Sequence, residues 1–122
     1  MKEKRVSIRI ADELLSVGAR VSTDGGNSWI AIYVRDISDS GMGFTAEKEI
    51  PVGTKLTLEG SVSDYMKHID IGCEMGIIFA GKTPEGKNLY GGKFLDMDKT
   101  QHTELGIFIE MIVTKFPPLL QQ

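Results

Sequence analysis

A single cysteine, Cys73, rules out an internal disulfide, and no second thiol or histidine stands at zinc-site spacing beside it. It reads as a buried, reduced thiol on a strand. Aromatic residues make up only 7% of the chain and the net charge is −3, so the basic, aromatic-rich face that a nucleic-acid-binding barrel needs is missing. No nucleic-acid partner is expected. No apolar run approaches the roughly 18 residues of a spanning helix, and the first residues lack the apolar core of a signal peptide. The expectation is a cytoplasmic protein with no membrane insertion. Gly-x-Ser-x-Gly, Walker-type and His-Glu-x-x-His patterns are all absent, His68 and His102 read as surface residues, and Asp64, Asp70, Asp96 and Asp98 are scattered without a pairing suited to acid–base work. The chain therefore reads as a sensor and not an enzyme, with neither metal nor cofactor.

What is present fits one domain over residues 1–122, since compact domains most often hold about 100–150 residues. Apolar residues at 41% and charged residues at 25% are an ordinary globular mix. Charge, however, is unevenly spread. Residues 1–10 carry Lys2, Lys4, Arg5 and Arg9 against Glu3, a net of +3 that leaves −6 for the remainder. A basic arm on an acidic body suits a local anion site, or a charged terminus that only aids solubility.

Residues 11–97 read as strands in close succession. Val17, Ala19 and Val21 alternate into Asp24-Gly25-Gly26-Asn27, and Trp29 to Val34 follow, a hairpin whose turn residues adopt positive φ at little cost. Met42, Phe44 and Ala46 alternate next, then Ile50-Pro51-Val52-Gly53 turns the chain toward Leu56 and Leu58. A longer strand over about Ile69 to Ala80, a polar loop from Gly81 to Asn88 and a last strand over Leu89 to Leu95 complete the pattern. Short strands with regular turn signals predict a mainly β fold, a small closed antiparallel barrel that leaves few free edges. Over residues 98–116 the period changes. Leu105, Phe108, Ile109, Ile112 and Phe116 form one helical stripe, Asp98 and Gln101 suit a capping box, and Pro117-Pro118 ends the C-terminal α-helix. Ile107, Met111 and Val113 widen its apolar surface, so the helix either closes the barrel alone or also serves a partner or a homodimer.

Two short motifs stand out: Arg5-x-x-x-Arg9 in the arm and Asp36-Ile37-Ser38-Asp39-Ser40-Gly41 after an apolar run. Arginine pairs its forked donors with phosphate or with a guanine edge and stacks on purines. Asp36 and Ser38 lie two apart, so on an extended strand they share a face, where a carboxylate and a hydroxyl can accept hydrogen bonds. Gly41 leaves room for close approach or a tight backbone path. Alone, the second motif is also what an ordinary strand-end turn looks like.

Taken with Ile50-Pro51-Val52-Gly53 and with Gly91-Gly92-Lys93-Phe94-Leu95-Asp96 ahead of the helix, the order of motifs resembles the PilZ domain family over nearly the whole chain. The resemblance implies a receptor for the bacterial second messenger cyclic di-GMP. Arg5 and Arg9 would wrap the ligand, while Asp36, Ser38 and Gly41 would form the barrel half of the site. Lys4 stands where many members carry a further arginine, a position that bears on one ligand or a stacked pair. Met42 interrupts the glycine pair that often follows the motif. The resemblance also implies an effector protein, so far unidentified, through which motility, adhesion or exopolysaccharide is controlled; relatives that bind no nucleotide serve as protein–protein adaptors.

Overall fold

The structure, a computed structural model, describes residues 7–9, 16–63 and 67–115. Its elements in order are β1 (Ser7–Arg9), β2 (Ser16–Ser22), β3 (Ile30–Ser38), β4 (Gly41–Ala46), β5 (Lys55–Ser63), β6 (His68–Lys82), β7 (Asn88–Phe94) and α1 (Lys99–Lys115). Strands β2, β3, β4, β7, β6 and β5 pair in a ring, each antiparallel to the next, and β5 returns to β2. This is the closed barrel expected from the strand pattern, with one C-terminal helix. β1 is a seventh strand outside the ring. It takes the edge of β3 beyond the point where β2 leaves: β2 covers Ile30 to Ile32, and β1 covers Asp36 to Ser38.

Alternation decides which side chains fill the interior. Val21, Ile32, Met42, Phe44, Leu56, Leu58, Met75 and Ile77 are buried in one core cluster, joined from α1 by Leu105, Phe108 and Ile109. The helix packs against β1, β3 and β6. Tyr90 ties the barrel to the turn before β5. Its hydroxyl accepts from the Ile50 amide at 2.9 Å and donates to the Lys48 carbonyl at 3.1 Å, while its ring lies 5.5 Å from that of Phe44.

The first hairpin turn is built as its residues suggest. Gly25 and Gly26 have φ of 74° and 99°, which glycine adopts without steric cost. The Asp24 carboxylate accepts from the Ser28 hydroxyl and amide and from the Ser22 hydroxyl. Those bonds, the Ser28 hydroxyl foremost, hold its carboxyl well below the usual carboxylate range.

Three expectations need correction. The polar loop after β6 is shorter than Gly81 to Asn88, because Lys82 still pairs with Asn88 and the Thr83 carbonyl and hydroxyl accept from the Gly86 and Lys87 amides. Asp98 does cap α1, accepting from the Thr100 and Gln101 amides, but Gln101 does not complete a capping box. Its side-chain oxygen instead accepts from the Gly72 amide and fastens the helix start to β6. Cys73 is half-buried, not fully buried, beside the core. Asp96 is structural: its carboxylate accepts from the Glu74 amide at 2.7 Å. Phe116, Pro117, Pro118 and Asp64 lie outside the described residues.

Candidate ligand cleft at the β3–β4 turn

Two β-bulges shape the outer wall. In β3 the register shifts between Val34 and Asp36, and in β6 between Ile77 and Phe79, so Arg35 and Ile78 are the extra residues. A bulge reverses the phase of alternation beyond it. Ile30, Ile32 and Val34 therefore give way to Ile37 as the inward residue, and Ile37 is fully buried. Asp36 is turned to the outer face.

The register then lines up a row across five strands: Arg9 opposite Asp36, Asp36 opposite Gly43, Gly43 opposite Gly91, and Gly91 opposite Phe79. The two central positions have no side chain of their own, so the row is a shallow trough between the Asp36 carboxylate, which leans over Gly43, and Phe79, which flanks Gly91. A Cβ on Gly43 would stand 3.0 and 3.1 Å from the two Asp36 carboxylate oxygens. Gly43 is what lets the carboxylate lie over the strand.

A cleft of about 520 Å³ opens here, and Asp36, Ser38, Gly41, Gly43, Gly91 and Lys93 are among the residues that line it. Three of the residues expected from the sequence, Asp36, Ser38 and Gly41, are thus brought together on one wall. Ser38 is buried, and its hydroxyl has local work: it accepts from the Ser40 amide at 3.2 Å, lies 3.2 Å from the Ser40 hydroxyl and donates to the Gly41 carbonyl at 3.4 Å. The Ser40 carbonyl in turn accepts from the Phe94 amide at the end of β7.

Gly41 serves the fold first. A Cβ there would run into the Gly92 carbonyl oxygen, so its bareness is required by β7 whether or not a ligand approaches. Met42, which interrupts the glycine pair, is buried in the core at 5% exposure and also lines the cleft between Gly41 and Gly43. The outward pair is Gly41 and Gly43. Arg9 belongs to β1, and its backbone pairs with that of Asp36. Lys4 and Arg5 lie outside the described residues.

Gly43, Gly91, Ile78 and Lys93 are not among the site residues expected from the sequence, although Gly91 and Lys93 belong to the segment noted ahead of the helix. The Gly91-Gly92 pair was a usable signal, but its meaning depends on which strand lies beside it. The helix also reaches this site. His102 Nε2 is 3.8 Å from the Asp39 carboxylate, and Gly106 packs near the Asp39 side chain, so α1 rests on the β3–β4 turn.

The chain is thus a closed small barrel with a polar cleft at a bulged strand, beside a short strand added at that strand's edge. The chain belongs to the PilZ domain family, whose model matches residues 2–110. No curated protein sequence matches it. Solved structures share the fold at low identity. The inhibitor of motility MotI/DgrA of Bacillus subtilis superposes with a TM-score of 0.77 at 11% identity, over 95% of this chain and 53% of that one. The PilZ domain of YcgR from Escherichia coli, solved with c-di-GMP, gives 0.64 at 14% identity over 94% of each chain. The MrkH–c-di-GMP complex of K. pneumonia gives 0.65 at 12% identity, over 96% of this chain and 55% of that one. The chain spans about half the length of the first and third of these proteins. Among the described residues, no helix is long and apolar enough to cross a membrane.

Proposed function

We propose that the chain is a cyclic di-GMP receptor whose basic arm closes on the barrel cleft, and whose altered surface is read by a partner protein. The observation that carries this reading is the β1–β3 register. Arg9 and Asp36, 27 positions apart in sequence, are direct cross-strand partners at the edge of a glycine trough. Membership of the PilZ family supports the choice of ligand, as do the c-di-GMP complexes of YcgR and MrkH.

The chemistry is binding alone. Arg5 and Arg9 take phosphate oxygens or the guanine O6 and N7 bidentately, Lys4 adds charge to the arm, and Asp36 accepts from the guanine N1–H and N2–H₂ or orients the arginines. Ser38 holds the turn that carries Asp36 and Gly41. The proposed action is cytoplasmic, and the output is motility, adhesion or exopolysaccharide control through an effector that reads the arm and α1. Ile107 at 53% and Met111 at 39% exposure leave apolar surface on α1 for that effector or for a second copy.

The test is calorimetric titration with cyclic di-GMP of the parent, of Arg9→Ala and of an Arg5→Ala, Arg9→Ala double variant. A lost charge-assisted hydrogen bond is worth about 1.5–3 kcal/mol, so Arg9→Ala should weaken binding about ten- to a hundredfold. An Arg9→Ala protein that binds as tightly as the parent would remove the arm from the site. A folded parent that does not bind would favour the nucleotide-free adaptor.

A further inference from the structure

We propose that the site extends beyond its two motifs onto β7, where Lys93 supplies a cation from the barrel side for a phosphate of the ligand; this rests on the cyclic di-GMP reading. Register and charge carry the inference. Lys93 is opposite Gly41 on β4 and opposite Gly76 on β6, one outward position along β7 from Gly91 in the trough. Its side chain lines the same cleft as Asp36. Among the described residues lining that cleft, Asp36 is the carboxylate next to the floor and Lys93 is the cation.

Lys93 has no competing work. It is exposed, and among the described residues it enters no ion pair, whereas Lys55 reaches Glu74 and Lys82 donates to Asn88. Its cross-strand neighbours on both sides are glycines, which bring no side chain of their own against it, although Leu95 packs over Gly76. Strand spacing puts the Asp36 backbone two strands, about 10 Å, from β7. A dianionic ligand on the Gly43–Gly91 floor would therefore meet the arm on the β3 side and the Lys93 ammonium on the β7 side. An ammonium serves here as a point charge, tolerant of the phosphate's exact angle. Exposed apolar Ile78, on the β6 bulge, completes that side of the cleft next to the floor.

The experiment titrates cyclic di-GMP into the parent, Lys93→Gln, Lys93→Glu and a control, Lys82→Gln, at low and at moderate salt, with thermal unfolding of each protein measured alongside. Lys93→Gln should bind about five- to tenfold more weakly at low salt, Lys93→Glu more weakly still, and both should lose part of the parent's sensitivity to salt. Lys82→Gln should match the parent. If the parent binds and Lys93→Glu stays within twofold of it with unchanged salt dependence, the β7 cation is overturned and the receptor reading stands. A parent that does not bind overturns both.

Discussion

Gly41→Ala separates what the fold requires of the motif from what a ligand requires. Gly41 pairs with Lys93 across the β4–β7 seam, and an added Cβ would run into the Gly92 carbonyl oxygen while reaching 3.2 Å from the Gly92 carbonyl carbon and 3.3 Å from the Lys93 Cα. All three are backbone atoms, so no side-chain rotation relieves the clash. The seam must open, which costs about 1–3 kcal/mol as overpacking and about 1 kcal/mol for a strained or lost ladder hydrogen bond. A total of about 2–4 kcal/mol is a large share of the stability of a domain this size, and it corresponds to a fall in Tm of roughly 8–16 °C. Urea and thermal unfolding of the ligand-free protein, followed by circular dichroism, measure it directly. A Gly41→Ala protein within about 0.5 kcal/mol of the parent would refute the reasoning, because the β4–β7 seam would then have room that the geometry denies.

Gly43→Ala should behave differently, since its added Cβ meets the Asp36 carboxylate and not backbone. Stability should change by less than about 1 kcal/mol while cyclic di-GMP affinity falls about tenfold, as unfolding and calorimetry on one preparation would reveal. Tyr90→Phe removes the hydroxyl that satisfies the Ile50 amide and donates to the Lys48 carbonyl; it should cost about 1–3 kcal/mol in urea unfolding with no change in m-value. Burial, then Asp96 and Glu74, push the Cys73 thiol from its ordinary 9.0 up to about 12. In the unfolded chain it ionises near its ordinary value while the folded protein keeps the proton. The contribution of this group to stability is therefore level below pH 9 and falls from there toward pH 12. Alkylation at pH 8 should be much slower in native protein than in urea, and equal rates would refute the shift.

Much of the barrel was legible because alternation and turn chemistry agree along the chain. Met42, Phe44 and Ala46 point inward as their spacing requires, Gly25 and Gly26 carry the positive φ of the first turn, and Leu105, Phe108 and Ile109 enter the core from α1. What the periodicity could not give was the bulge at Arg35. A strict period of two from Ile30 would send Asp36 inward, and only the extra residue against β4 brings Ile37 into the core instead. The glycine trough was hidden for a related reason. Gly43 and Gly91 are 48 positions apart in the sequence, and their common floor exists only through the β4–β7 register.

The motif glycine and serine also prove less free for a ligand than their sequence context implied. Gly41 answers to the Gly92 carbonyl, and the Ser38 hydroxyl answers to the turn. The groups left over for chemistry are those that the fold does not use: the Asp36 carboxylate, the side-chain-free outer faces of Gly43 and Gly91, and the Lys93 ammonium. A cleft whose walls are fixed by backbone contacts, and whose unused groups carry opposite charge on its two sides, is preorganised on the barrel side. Such a site costs little ordering entropy on the barrel side. Substitutions there should therefore act on the enthalpy of binding more than on its entropy. Titration of Lys93→Gln at several temperatures would separate the two, and a change confined to the entropy would count against a preformed barrel half.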